Sequence, residues 1–362
     1  MRNFLKVPNI LSSIQKSADK PVAKPALSGR ARAWKVLAVL IALALSSILL
    51  ACVIGSVALP FSDVVNAISG LMQGTTSSMA TTLVELRFGR ALSAFVTGAS
   101  LTLAGVMMQA LLRNPLAEPY VLGVSGGAAV GALGALLLFS AAWMVDVAAF
   151  CGAIVIAMLL YVLARRDLRG ASNPDGSAPL LLLTGVILAS GCSALVALML
   201  SIAPENRLRG MVFWMIGDLS GTQFRWLPWI VLAGAMLFAT RAARAINVMA
   251  LHADAASTLG INVGLFRRGL FLCSALLTAS AVSNAGSIGF VGLIVPHACR
   301  FMLGPDHRLL LPASALVGGA FLVLADTLAR TIIAPQQLPV GVITAIIGVP
   351  VFLLQLHQLR KR

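Results

Sequence analysis

The sequence contains very little charge. Only 11% of its 362 residues are Asp, Glu, Lys or Arg, and 59% are hydrophobic, whereas a typical soluble domain is about 25% charged. So few charged side chains would not cover the surface of a soluble protein of this length. The composition excludes a soluble enzyme and a disulfide-stapled secreted domain, and it predicts a protein that lies in lipid.

Residues that carry chemistry are also scarce. The five cysteines all lie in apolar stretches without the spacing of a metal or redox motif, and we expect them to be free. The four histidines are scattered, so we predict no zinc site and no catalytic base. The Gly-Lys pair of an ATP-binding P-loop never occurs. We therefore predict no enzyme activity, no metal site and no cofactor bound by this chain.

Long apolar runs are abundant instead. A helix that crosses the hydrocarbon core of a bilayer needs about 20 mostly apolar residues, and the chain contains about ten such runs. They predict an all-α, polytopic membrane protein. A polar break that begins at Ser283 interrupts one long apolar stretch and separates the seventh span from the eighth. The predicted spans are 34–58, 90–112, 120–140, 144–164, 180–202, 226–246, 268–285, 286–303, 311–330 and 338–357.

Basic residues predict the orientation of these spans. Residues 1–33 are polar and basic, and we expect a disordered cytosolic tail before a single ten-span domain over 34–362. A cleaved signal peptide is the alternative, but the apolar run from Val36 to Leu59 is longer than a signal core. With both termini cytosolic, the positive-inside rule is obeyed, so the net charge of +15 reflects membrane topology and not nucleic-acid binding. The arginines then left on the outer side are Arg87, Arg90, Arg207, Arg209, Arg225 and Arg330.

Two patterns inside the spans have local structural interpretations. Gly123, Gly127 and Gly131 recur every four residues, which is typical of a small-residue face where helix backbones pack closely. No strand precedes them, which argues against a phosphate cradle. Asp326 is the one acid placed clearly within a span, and Arg330 follows it by four residues, so the two are expected to pair along one helix face.

Three groups of motifs together resemble a known family. The motifs are Leu86-Arg87-Phe88-Gly89-Arg90-Ala91 with Gly105–Gln109, then Asn114–Pro119 with Leu122–Gly127, and finally Gly289–His297 with Asp306–Arg308 and Leu338–Val342. In these motifs and in their order, residues 36–357 resemble the permease subunits of the FecCD-type ABC importers, which carry iron chelates, haem and vitamin B12.

The resemblance implies a type II ABC importer permease. Such a permease works as a homodimer with two cytosolic ATP-binding subunits and one periplasmic substrate-binding protein, in the bacterial inner membrane. ATP is then used by a partner subunit, which agrees with the missing P-loop. Among the possible cargoes, the resemblance favours haem over a ferric siderophore, with cobalamin as an alternative. A secondary carrier of metabolites is the alternative from a different class.

The resemblance also implies roles for particular residues. Arg87, Arg90 and Arg330 match positions that dock the binding protein, and interfacial anchoring is the alternative. Asn114 and Leu116 match a stretch that closes the cytosolic end of the translocation path. The structural interpretation, which is compatible with that role, is that Asn-Pro ends a helix.

The coupling loop to the ATPase is expected at about 247–267. Apolar residues recur there every four positions, and Gly260 is a plausible helix stop. A plain interfacial helix is the alternative. The family's usual Leu-Gly-Glu opening is replaced here by Leu-His-Ala, which displaces the acid by one position. The residues assigned to coupling are Leu251, Asp254, Ala255, Leu259 and Gly260.

Overall fold

The structure is a computed structural model. It describes residues 26–57, 79–139, 141–168, 177–222, 224–251, 256 and 259–360. Contacts between residues divide the chain into a unit of residues 1–39 and a unit of residues 40–362. Of the first unit the structure describes only residues 26–39, which begin the first helix.

Helices dominate the described residues, and no strand occurs among them. A 3-10 helix, Pro119–Leu122, lies between the second and third α-helices. The α-helices are α1 Ala26–Val53, α2 Met79–Leu112, α3 Val124–Leu138, α4 Ala142–Leu163, α5 Arg165–Leu168, α6 Ser177–Ile202, α7 Glu205–Ile216, α8 Trp226–Leu251, α9 Val263–Ala285, α10 Val291–Leu303, α11 His307–Thr331 and α12 Val340–Arg360.

Each predicted span overlaps one of these helices, with bounds that differ by several residues. Helix α1 begins at Ala26, within the predicted tail 1–33, and residues 1–25 of that tail lie outside the described residues. In the described part of the chain, eight helices are long and apolar enough to cross a membrane. Helices α3 and α10 are shorter, at 15 and 13 residues, or about 20 Å at 1.5 Å per residue. Each of them follows an irregular segment of backbone. The prediction of an all-helical membrane protein with about ten spans is confirmed.

Helix α2 lies at the centre of the bundle. It packs most extensively against α11 and α9, and also against α10 and α8. Nearly all of its side chains from Arg90 onward are buried. Because α2 is covered on all sides by other helices, residues at its two ends meet elements that are distant in sequence.

The repeated glycines of α3 form a packing face, as predicted. A Cβ atom added at Gly127 would lie 2.5 Å from the carbonyl oxygen of Gly152 on α4, and one at Gly131 would overlap that of Ala148. Backbones this close leave room only for a hydrogen atom at these positions. Gly127 and Gly131 therefore serve helix packing between α3 and α4, whereas Gly123, just before α3, faces Gly185 and Ala189 of α6.

Candidate functional site

Arginine side chains converge where α1 ends, α2 begins and α11 ends, which we call the outer end of the bundle. Arg90 on α2 donates to both carboxylate oxygens of Asp326 on α11, with N–O distances of 2.7–3.1 Å. Its Nη1 donates to Oε1 of Gln337 at 2.8 Å. Arg330 lies 3.1 Å from the same carboxylate. The expected pair of Asp326 and Arg330 is confirmed, and Arg90 joins it from another helix.

The remaining bonds of this cluster reach the end of α1. Arg87 donates to the carbonyl oxygens of Cys52 at 3.2 Å and Val53 at 3.0 Å, and Arg330 donates to that of Ala51 at 3.4 Å. The last carbonyls of a helix have no partner within the helix and carry partial negative charge. The guanidinium groups therefore supply hydrogen bonds to the last carbonyl groups of α1 and fix the end of α1 beside α2 and α11.

The three arginines lie together at one end, as the docking prediction requires. They are buried, however, with exposed fractions of 7%, 8% and 4% for Arg87, Arg90 and Arg330. With Asp326 they form a group of four charges that carries a net charge of +2. Since their guanidinium groups are engaged within the chain, contact with a binding protein stays a prediction.

The backbone is irregular between α9 and α10, over residues 286–290. Phe290 has φ of 70°, a left-handed conformation that is uncommon outside glycine. Two side chains from the connection between α2 and α3 bind this segment. Oε1 of Glu118 accepts a hydrogen bond from the N–H of Phe290 at 3.0 Å, and the hydroxyl of Tyr120 accepts one from the N–H of Ile288 at 3.1 Å.

These two bonds satisfy backbone donors that lie away from water. Burial raises the pKa of Glu118, and the hydrogen bond from Phe290 offsets part of that rise. Glu118 lies within one of the family motifs, but sequence reasoning assigned it no role. The available signal was a single acid between Pro115 and Pro119 in an otherwise apolar stretch.

A cavity of about 370 Å³ lies between α3, α6 and α7 and borders the irregular segment. Among the described residues, its walls are small, apolar and hydroxyl side chains, without a charged group. The described wall therefore presents no fixed charge to a molecule that enters the cavity. The lining residues are Ser125, Gly126, Ala129, Ser193, Val196, Ala197, Leu200, Met215 and Ser287.

The predicted cytosolic gate lies where α2 ends. Oδ1 of Asn114 accepts a hydrogen bond from the N–H of Leu116 at 2.9 Å, a turn that Asn side chains commonly stabilise. Leu116 is 37% exposed. This geometry explains how the chain leaves the helix, and the gating role stays a prediction.

The predicted coupling segment is partly described. Gly260 has φ of 76°, and the N–H of Ile261 donates to the carbonyl oxygen of Ala256 at 3.0 Å. This bond across a left-handed glycine is typical of a helix C-terminus. Leu259, just before it, is 71% exposed. Of the other residues assigned to coupling, Leu251 ends α8, whereas Asp254 and Ala255 lie outside the described residues.

Comparison with known proteins identifies the family. Residues 40–358 match the FecCD transport family. The chain belongs to this family. It is 42% identical over 284 residues to the cobalamin import system permease protein BtuC of Halobacterium salinarum, covering 76% of this chain and 73% of that protein. It is 38% identical over 282 residues to the vitamin B12 import system permease protein BtuC of Escherichia coli O9:H4, covering 76% and 84%.

Solved structures agree with this assignment. An ABC transporter assigned to the metal-chelate type, in an inward-facing conformation, matches with a TM-score of 0.74 and 28% identity over 90% of this chain and 99% of that one. PsaBC from Streptococcus pneumoniae in complex with Fab matches with a TM-score of 0.53 and 16% identity, over 81% and 95% of the two chains. The latter likeness concerns the fold alone.

The FecCD chain is thus the permease of a type II ABC importer. It is a multi-pass inner-membrane protein of a family that lacks an ATPase site of its own. Such permeases typically form a dimer that works with ATP-binding subunits and a substrate-binding protein.

Proposed function

We propose that this permease imports cobalamin, with ATP hydrolysed by a separate subunit. The observation that carries the proposal is the 38–42% identity to cobalamin and vitamin B12 permeases over three quarters of the chain. Cobalamin replaces haem as the favoured cargo, since both of these relatives are cobalamin or vitamin B12 permeases.

Uptake in cells tests the cargo. The permease is expressed with its ATP-binding and substrate-binding partners in a bacterium that lacks its own cobalamin permease. We expect uptake of radiolabelled cobalamin that unlabelled cobalamin abolishes and that haemin or a ferric siderophore leaves unchanged. Cells that express only the partners are the control. Uptake of labelled haem or siderophore without cobalamin uptake would overturn the proposed cargo.

We further propose that Leu259 lies in the coupling contact with the ATP-binding subunit, within a homodimer that has two such subunits. Its 71% exposure supports this role, because an exposed leucine beside a helix end provides apolar surface for a partner. Leu259→Asp is expected to abolish transport, because it places a charge in a dry interface. Leu259→Met is expected to leave transport unchanged. Wild-type transport by Leu259→Asp would remove Leu259 from the contact.

The outer arginine cluster is proposed to attract one periplasmic binding protein. Its net charge of +2 supports this role, and a dimer would present it twice. Arg87→Gln is expected to weaken association of the binding protein severalfold at low salt. Arg225→Gln is the control, because Arg225 pairs with Asp146 at 2.6 Å outside the cluster. Equal affinities of both variants would leave the cluster with a structural role alone.

A further inference from the structure

A second cavity lies at the opposite, inner end of the bundle. It measures about 680 Å³ and opens between the ends of α2, α8 and α10 and the start of α11. The motif residues Asp306 and His307 line it, and neither belongs to the cavity beside residues 286–290. Arg113 and Arg300 contribute two guanidinium groups to its wall, so its charged lining is predominantly basic.

Within the described wall of this cavity, Arg300 is not paired with a carboxylate. Among the described residues, its guanidinium makes no hydrogen bond and no ion pair with a carboxylate. Asp306 is the one acid in the described wall, and Oδ1 of that residue already accepts from the Asn247 amide at 2.7 Å and from the N–H of Arg308 at 3.0 Å. A half-buried guanidinium without a partner favours an anion from outside the chain.

Two buried side chains also leave polar atoms unpaired at this cavity. Gln109 is 3% exposed and His307 is 4% exposed, and both line the wall. Within the part of the chain that the structure describes, Oε1 of Gln109 and Nε2 of His307 have no hydrogen-bond partner. Buried polar atoms are almost always paired, so both atoms point to a ligand that supplies donors.

The hydrogen bonds of His307 define what its free nitrogen can accept. Nδ1 lies 2.7 Å from Oδ1 of Asn247, and that oxygen also accepts from the backbone N–H of His307 at 2.9 Å. The amide nitrogen of Asn247 is committed to Asp306, which fixes the amide orientation. Nδ1 therefore carries the proton, and Nε2 presents a lone pair that accepts a hydrogen bond.

We propose that this cavity binds a phosphate group that carries or adjoins two hydroxyls. Arg300 would pair with the phosphate oxygens, while Gln109 and His307 would each accept a hydrogen bond from one hydroxyl. Two sources have this chemistry: dihydrogen phosphate, and the glycerol phosphate head group of phosphatidylglycerol in the membrane. Basic pockets between membrane helices are known sites for anionic lipid head groups, and the apolar side of this one, including Ala110 and Phe301, suits the lipid.

The test measures both ligands on the full-length permease. Radiolabelled inorganic phosphate is bound by equilibrium dialysis, and phosphatidylglycerol retained from mixed phosphatidylcholine nanodiscs is counted by native mass spectrometry. Arg300→Gln is expected to lower the affinity for the bound ligand at least tenfold. Arg308→Gln is the matched control, because it removes the same charge from an exposed residue outside the cavity wall and is expected to change affinity less than twofold.

The pattern across the two probes identifies the source. The lipid head group is supported if the wild type retains phosphatidylglycerol but binds no phosphate, and Arg300→Gln loses the lipid. Free phosphate is supported if the wild type binds phosphate but retains no phosphatidylglycerol, and Arg300→Gln loses the phosphate. Arg300→Lys keeps the charge and is expected to bind with an affinity within about threefold of the wild type. This result would show that the loss of binding in Arg300→Gln does not come from a folding defect. No binding of either probe to the wild type, or equal loss in Arg308→Gln, would overturn the proposal.

Discussion

The guanidinium of Arg90 and the carboxylate of Asp326 form a buried, two-pronged ion pair across 236 positions of the chain. The pair joins the start of the central helix α2 to the last turns of α11. Asp326 also lies beside Arg330, so one carboxylate serves two guanidinium groups. Asp326 is therefore the shared counter-charge of two buried arginines at the outer end of the bundle.

Replacement of this carboxylate is expected to destabilise the permease strongly. Asp326→Asn leaves two buried arginines without a counter-charge, and removal of one partner of a buried pair costs about 3–5 kcal/mol. Glu85→Gln is the control, since it removes an acid from an exposed position on α2 at the same outer end of the bundle. Thermal unfolding in detergent measures both. Equal melting temperatures for the two variants would show that the pair contributes little.

The glycine face of α3 provides a second test. Gly131→Ala forces a methyl group against the carbonyl oxygen of Ala148, and we expect a loss of about 1–3 kcal/mol from overpacking. Gly134→Ala, on the same helix, meets only the terminal methyl of Met199 at 3.7 Å and is expected to be neutral. Unfolding measurements on the two variants decide the matter, because similar stabilities would be inconsistent with close helix packing.

Glu118 is expected to make stability depend on pH. Because burial raises its pKa, the folded protein prefers the protonated carboxyl, and this contribution is lost as pH rises through the folded-state pKa. Glu118→Gln keeps an acceptor for the N–H of Phe290 and does not ionise, so its melting temperature should exceed that of the wild type increasingly as pH rises. Glu118→Ala removes the acceptor as well, so it should be less stable than Glu118→Gln by about 1–3 kcal/mol at every pH. Parallel pH curves for wild type and Glu118→Gln would contradict this account.

The orientation of the bundle is open to chemical labelling. Single cysteines at Leu259 and Gly221 are introduced into a chain whose native cysteines are replaced. The excess of basic residues on one side predicts that Gly221→Cys reacts with an impermeant maleimide in intact spheroplasts. Leu259→Cys should react only after the membrane is opened. The opposite pattern would invert the predicted topology.

The helices themselves were largely predictable, because a chain in lipid must satisfy its backbone within each span and apolar runs therefore become helices. The start of α2 was not. The predicted span begins at residue 90, yet the helix begins at Met79. Its first turns include Arg87, and an apolar pattern does not reveal the distant partners that let Arg87 and Arg90 be buried. Pairs four residues apart, such as Asp326 and Arg330, follow from helix geometry.

Contacts between distant segments account for most of what sequence patterns did not predict. The bond from Phe290 to Glu118 spans 172 positions and depends on the packing of two irregular segments. The pairing of Arg90 with Asp326 depends in the same way on α2 lying beside α11. The glycine spacing, in contrast, predicted a packing face correctly, because its period is that of the helix itself.

The central claim, ATP-driven import of cobalamin through this permease, is tested most directly in proteoliposomes that contain the complete importer. Uptake of radiolabelled cobalamin is measured with and without ATP, with and without the binding protein, and with ionophores that dissipate ion gradients. We expect uptake that requires both ATP and the binding protein and that ionophores leave unchanged. Uptake that proceeds without ATP and collapses with ionophores would contradict the account and indicate a secondary carrier.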